Sequence, residues 1–432
     1  MEWDQMGLAL FAILLLLLFA GVPVAFSLGL AGMAGVYLFL SPAMLMQLAR
    51  ISFDVASTHL FIVAPLFVLM AGTVSRSDVA TRSFDGAKKW LNWLPGSLGV
   101  STVASATLFA SISGSSPATA AAIGYTAVPE MLRHGYDKRL AVGIVAAGGT
   151  LGILIPPSVV MIIYGIITET AIGALFTAGV VPGLMFSGLL SAYVIWRSRG
   201  DRTGRSMAVT WPARLASLRG IWPIMVLFAA VMGAIYTGIA APTEAAAIGA
   251  GVALVLTFAR KGMGFAGLDT VLIRTAQTTA MILLLIICGS FFGFVVAACG
   301  VAYGIVEALT AAQVAPIWVL IGYVVVLLIL GCVMDPASML VITLPIAFPG
   351  LKRLGFDAVW LGALVTIAVE VGMITPPVGL NLFVLKGVVP KHISSRDIAA
   401  GSLPFVLVLL LGLATVMAFP DIATWLPKAV GY

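Results

Sequence analysis

The chain has 432 residues, of which 61% are hydrophobic and only 9% charged. A soluble domain ordinarily carries about 25% charged residues, so this composition leaves no room for a soluble catalytic domain and points to the lipid bilayer as solvent. The formal net charge of +6 does not indicate nucleic acid, because the basic residues collect in short stretches between apolar runs, as cytoplasmic loops require. Three cysteines (Cys288, Cys299, Cys332) and three histidines (His59, His134, His392) are scattered and give neither a disulfide framework nor a metal pattern.

The chain opens on the acidic Met1-Glu2-Trp3-Asp4, and the apolar run after it is followed by no small-residue cleavage site. The first segment is therefore expected to be a permanent span, with the N-terminus outside, in the periplasm. Spans follow near 6–20, 22–40 and 52–75. Arg76 to Trp93, with Lys88, Lys89, Trp90 and Trp93, reads as an amphipathic helix in the cytoplasmic interface. Residues 97–132 are apolar but rich in Gly and Ser at their centre, and both flanks are basic. A re-entrant hairpin with its tip at Ser111–Thr119 accounts for this, since irregular backbone at membrane depth is tolerated only inside protein or beside water. Spans near 138–166 and 171–196 lead to a basic cytoplasmic loop at 201–219, beside Arg197 and Arg199 and containing Arg202, Arg205, Arg214 and Arg219.

The second half repeats the plan. Spans are expected near 220–239, 241–259 and 267–299, a surface segment near 301–314, a hairpin near 316–351, and spans near 357–386 and 398–420. Pro23 and Pro242, Gly32 and Gly251, and Pro117 and Pro336 are each 219 positions apart, and Pro156-Pro157 and Pro376-Pro377 are 220 apart. The halves 1–200 and 220–432 each hold about five spans, an odd number, so consecutive copies sit with opposite orientation, the inverted-repeat plan of secondary transporters. The expected fold is an all-α polytopic membrane protein of two inverted-topology repeats, with about ten transmembrane helices and two re-entrant hairpins.

Four irregular points carry the chemistry. At the hairpin tips, Ser116 and Asp335 suit the N-cap and Pro117 and Pro336 the first helical position, with Thr119 and Ser338 in the first turn. The spans near 138–166 and 357–386 are interrupted at Gly148–Gly152 with Pro156-Pro157-Ser158, and at Glu370–Thr375 with Pro376-Pro377 and Asn381. Ending a half-helix leaves carbonyl oxygens unpaired, which suits a small hard cation such as Na⁺. Starting the next leaves N–H groups and a positive dipole end, which suits a carboxylate. Nearly all basic residues lie in loops or at span ends, with Arg274 and Lys386 nearest an apolar segment. An anionic substrate is thus expected on helix N-termini, the hydroxyls of Ser115, Ser116, Thr119 and Ser158, and the amide of Asn381. Asp335 and Glu370 are acids within apolar stretches and functional candidates on that ground, each with a plain alternative, a helix cap for Asp335 and internal pairing for Glu370. Glu244 reads as structural.

At these motifs the chain resembles the large membrane subunit of tripartite ATP-independent periplasmic (TRAP) transporters, DctM-like. The resemblance rests on Gly21-Val-Pro-Val-Ala-Phe-Ser-Leu-Gly29, Ser113-Gly-Ser-Ser-Pro-Ala-Thr-Ala120, Gly152-Ile-Leu-Ile-Pro-Pro-Ser158 and Gly372-Met-Ile-Thr-Pro-Pro-Val-Gly-Leu-Asn381, and it covers nearly the whole chain. It implies an elevator motion, a small four-helix membrane subunit packed on the scaffold, a secreted periplasmic substrate-binding protein, carboxylate substrates, coupling to Na⁺ and the bacterial inner membrane. The chain carries no extra length for a fused small subunit, so a separate partner is expected. Carried onto the matching tip and break positions, the resemblance implies an ion site drawn from Ser113, Gly114, Gly149, Thr150, Gly152, Gly331, Met334, Asp335, Gly372 and Thr375.

Three rivals compete with this reading. A self-sufficient carboxylate or ion antiporter would share the architecture. A membrane enzyme is disfavoured because no H-E-x-x-H, G-x-S-x-G or paired intramembrane aspartates occur, and no phosphate-binding loop is present, so no organic cofactor is expected. A channel would share the broken helices but not capped, matched tips.

Overall fold

The computed structural model describes residues 2–199, 209–259 and 265–432. Among the described residues the regular structure is helical throughout, without strands. The first half runs α1 (Trp3–Phe19), α2 (Val24–Phe39), α3 (Met46–Ser57), α4 (Val63–Ser75), α5 (Val79–Leu91), α6 (Ser97–Ser113), α7 (Ser116–Arg133), α8 (Lys138–Leu154), α9 (Val159–Thr168) and α10 (Ile172–Arg197). The second runs α11 (Trp211–Tyr236), α12 (Pro242–Ala259), α13 (Phe265–Ala298), α14 (Val301–Ala311), α15 (Pro316–Gly331), α16 (Pro336–Arg353), α17 (Ala358–Met373), α18 (Leu380–Val388), α19 (Ser395–Ala418) and α20 (Asp421–Val430). From α5 to α10 and from α14 to α19 the order is the same: a short helix, a close pair, a helix broken at Pro-Pro, and a long helix.

The α8–α9 break is a direct consequence of sequence. Ile155 leaves helical geometry (φ −84°, ψ 122°) ahead of Pro156, as a residue before proline must. The chain then turns by 41° into α9. The Pro156–Pro157 and Pro376–Pro377 bonds are both cis. α8 is buried along most of its length between α6, α7 and α19. Its approach to α19 is backbone on backbone: a β-carbon on Gly143 would lie 2.1 Å from the Gly401 carbonyl oxygen, and one on Gly401 2.2 Å from that of Arg139. Only glycine permits such contact, which is how helices associate where burial from water supplies no drive. A second packing group joins α2 and α4 to the long α13, with α12 packed on α4.

Several expectations need correction. The span expected at 52–75 is broken: α3 and α4 meet at Thr58 through a short 3₁₀ turn, bent by 57°. α3 carries Arg50 and Asp54 and buries none of its residues, so it cannot continue α4 as a buried span. The loop expected over 201–219 is helical from Trp211 onward, while its part at 201–208, with Arg202 and Arg205, lies outside the described residues. The early start of α11 follows from its docking on α5: Trp211 meets Trp90 edge-on at 6.3 Å, and Arg214 Nη2 donates to Asn92 Oδ1 at 3.2 Å. The terminal helix α20, packed on α10, was not expected. Finally, among the described residues five helices are long and apolar enough to cross a membrane, or seven if each bent pair is one span, against about ten expected. The shortfall lies in α1, α2 and α17, apolar helices of 16 or 17 residues, which reach about 25 Å against a bilayer core of about 30 Å.

Candidate functional site

The first tip is built by three small residues. α6 stops because Gly114 turns left-handed (φ 58°), and Ser115 caps α7, its hydroxyl accepting from the Ala118 N–H at 3.5 Å. The cap is therefore Ser115 and not Ser116. Two adjacent serines can each serve, and Ser116 is recruited elsewhere: its hydroxyl lies 2.5 Å from Glu370 Oε1 and 3.2 Å from the Thr150 carbonyl oxygen. Ser113 Oγ and Thr119 Oγ1 share a hydrogen bond of 2.7 Å, and Thr119 Oγ1 also donates to the Ser115 carbonyl at 2.9 Å. The tip presses on the first break. A β-carbon on Gly152 would lie 2.6 Å from the Ser115 carbonyl oxygen, and one on Gly114 2.8 Å from that of Pro157.

The second tip is built differently. Asp335 caps α16, with Oδ2 accepting from the Ser338 N–H at 3.0 Å. It meets its own break through one backbone bond, Gly379 N–H to the Cys332 carbonyl at 2.9 Å, and through Gly331 against Gly372, where a β-carbon on either would come within 2.8 Å of the other's Cα.

The tips share one cavity of about 510 Å³. Ser113, Gly114, Ser115, Pro117 and Ala118 line it from the first tip, and Asp335, Pro336 and Ala337 from the second. Ile153 and Val159 contribute from the first break, Ser75 and Arg76 from α4, and Arg274, Thr275 and Thr278 from α13. Two guanidinium groups against one carboxylate give the cavity a net positive wall, and the starts of α7 and α16 add the positive ends of two helices. Of the residues singled out in the sequence, Ser113, Gly114, Ser115 and Asp335 meet here. Arg76, Thr275 and Thr278 were missed. The signal for Arg274 was visible, a cation inside an apolar run, but nothing local told which cavity it borders.

The other candidates stand behind this wall. Ser116, Thr119 and Ser158 are fully buried, and Ser158 caps α9 by accepting from the Met161 N–H at 3.3 Å. Asn381 is fully buried and neither polar atom of its amide has a partner. The Thr150 hydroxyl returns to the Ala147 carbonyl at 2.6 Å and that of Thr375 to Val371 at 2.6 Å. Gly149 packs on Ala120. Met334 borders a separate apolar cavity with Phe11, Leu14 and Tyr323. Among the described residues no cluster of three or more His, Cys, Asp or Glu side chains is present, so the oxygens available to a cation here are carbonyls, hydroxyls and single carboxylates, donors of the kind that hard cations take.

Residues 11–422 match the family described as tripartite ATP-independent periplasmic transporter, DctM component. The chain is 37% identical over 407 residues to the C4-dicarboxylate TRAP transporter large permease protein DctM of Pseudomonas aeruginosa, covering 94% of each chain. It is 35% identical over 446 residues to the protein of that name from Vibrio cholerae, covering 98% of each. Among solved structures it resembles the YdaH transporter of Alcanivorax borkumensis, with a TM-score of 0.61 and 15% identity, over 90% of this chain and 89% of that one, a likeness of fold.

Proposed function

Because the chain belongs to the tripartite ATP-independent periplasmic transporter family as its DctM component, and is thus a multi-pass membrane permease subunit, we propose that it imports a small organic anion, of the C4-dicarboxylate class, in symport with Na⁺. The observation that carries the reading is the single cavity in which both hairpin tips, Arg76 and Arg274 converge. A dicarboxylate presents two anionic ends, and the cavity offers two guanidiniums together with the starts of two helices. Cation ligands would come from the oxygens around the tips and breaks, Asp335 and Thr375 among them. In this reading the halves are inverted copies whose broken helices face each other in the bilayer, and the hairpin-bearing body slides as an elevator against a scaffold. A small four-helix subunit and a periplasmic substrate-binding protein complete the system in the inner membrane, with the N-terminus in the periplasm.

The test is uptake into proteoliposomes holding both membrane subunits, with the binding protein added outside. We expect saturable uptake of a radiolabelled C4-dicarboxylate that requires an inward Na⁺ gradient. Asp335→Ala and Thr375→Ala should raise the Na⁺ concentration for half-maximal uptake, and Arg274→Ala should raise that for the anion. Uptake indifferent to Na⁺, or flux linear in substrate as through a channel, would overturn the reading.

A further inference from the structure

The carboxyl group of Glu370 joins three elements from two halves of the chain. It stands on α17, 2% exposed, and a single oxygen does all the joining. Oε1 lies 2.5 Å from the Ser116 hydroxyl, 254 residues away, and accepts from the Ile153 N–H, 217 residues away, at 3.2 Å. Oε2 is buried without a partner. An acid so placed is costly unless it answers a constraint. The constraint is visible in what it touches. Ser116 lies between Ser115 and Pro117, which both line the shared cavity, and Ile153 lines it as well. Glu370 does not reach the cavity itself.

We infer that Glu370 is a positioning residue: from the second half of the chain, it fastens the first hairpin tip to the last turn of α8 and so fixes one wall of the site from behind. The first tip's other bonds, Ser113 to Thr119 and the Ser115 cap, lie within the tip. Without Glu370, the side-chain bond from the tip to another element that remains is that of Ser116 with the Thr150 carbonyl.

The inference uses the transport reading only for its kinetic consequence, and the experiment keeps the two apart. Glu370→Gln retains an Oε1 acceptor in nearly the same volume, whereas Glu370→Ala removes it. Hydrogen exchange by mass spectrometry is measured on the protein in lipid nanodiscs. In the Ala variant, exchange over residues 113–119 should quicken about tenfold, as loss of buried hydrogen bonds allows, while residues 335–339 of the second tip stay as they were. The Gln variant should match the wild type. In the uptake assay, the Ala variant should raise the substrate KM about tenfold with little change in maximal rate, and Gln should restore it, a split that general destabilisation does not produce. Should Glu370→Ala fail to fold, Ser116→Ala severs one arm and should quicken exchange at the same segment by a smaller factor. Unchanged exchange at the first tip, equal quickening at both tips, or a Gln variant as impaired as Ala overturns the inference. A wild-type protein whose uptake ignores Na⁺ would sink the transport reading while leaving the exchange result to stand.

Discussion

The two hairpin tips follow one plan and end in different surroundings. At the first, residues 151–158 of the break are buried throughout, as are Ser113, Gly114, Ser116 and Thr119 of the tip. At the second, Val333 is 70% exposed and Val378 49%, and Pro377 lies open beside it. One position explains much of the contrast. With the 220-residue spacing of the Pro-Pro pairs, Glu370 corresponds to Thr150. Glu370 is long enough to cross into the other half and tie its tip. Thr150 is short, and its hydroxyl bonds its own helix at Ala147, so nothing returns the favour at Asp335. Two stretches with the same order of helices thus end one closed and one open, with a difference in side-chain reach at one position behind the contrast.

The largest effect should come from filling the two matched break glycines. A β-carbon on Gly152 would meet the Ser115 carbonyl oxygen at 2.6 Å and Thr119 Oγ1 at 2.7 Å; one on Gly372 would meet the Gly331 Cα at 2.7 Å. Overpacking of this kind costs about 1–3 kcal/mol, so Gly152→Ala and Gly372→Ala should both lower the unfolding temperature in detergent. They should part in uptake. The enclosed first tip cannot step aside, so Gly152→Ala should lose more than about tenfold, equivalent to about 1.4 kcal/mol. The open second tip can shift, and Gly372→Ala should retain clear activity. A Gly372→Ala variant that transports worse than Gly152→Ala would remove the distinction between enclosed and open tips.

What the sequence revealed and what it withheld divide along chain distance. Proline and glycine act on their own backbone, so Pro117, Pro336 and both Pro-Pro breaks marked true interruptions. The cap at the first tip was misplaced from Ser115 to Ser116, because either serine satisfies the local rule and the choice is made by Glu370 from 254 residues away. Arg76 and Arg274 meet at the cavity through packing of α4 on α13, which no local pattern encodes. The bend at Thr58 and the early start of α11 were hidden for the same reason: apolar content shows where a span is possible, but the tryptophan and arginine contacts with α5 decide where this helix begins.

A smaller effect separates the two caps. Asp335 accepts at 3.0 Å with a carboxylate, and Ser115 at 3.5 Å with a hydroxyl. Removing an N-cap costs about 0.5–2 kcal/mol, and a carboxylate at a helix N-terminus also meets the helix dipole. Asp335→Ala should therefore fall near the upper part of that range and Ser115→Ala near the lower. Exchange of residues 336–339 in the one variant and 116–119 in the other is the measurement. Equal quickening would mean that enclosure, rather than cap chemistry, sets how firmly each tip is held.

The smallest effect is expected at the base of the first broken helix. Asp397, at the start of α19, accepts from Lys138 Nζ at 2.8 Å and Arg139 Nε at 3.4 Å, and forms a capping box with Ser394. This ties α8 to the second half at the end away from its break, so it is a competing account of why the first half is closed. The side chains of Lys138 and Arg139 are 43% and 57% exposed and that of Asp397 is 8% exposed, so the cations keep much of their hydration and solvent screens the pairs from one side. Asp397→Asn keeps one oxygen for the cap and for Lys138, but loses the charge and the acceptor that faces Arg139. It should lower the unfolding temperature slightly, less so at high salt, and leave uptake within about twofold of wild type. If instead it impairs uptake as much as Gly152→Ala, the first half is held shut from its base, and the contrast between the tips follows from α19 rather than from the side chain of Glu370.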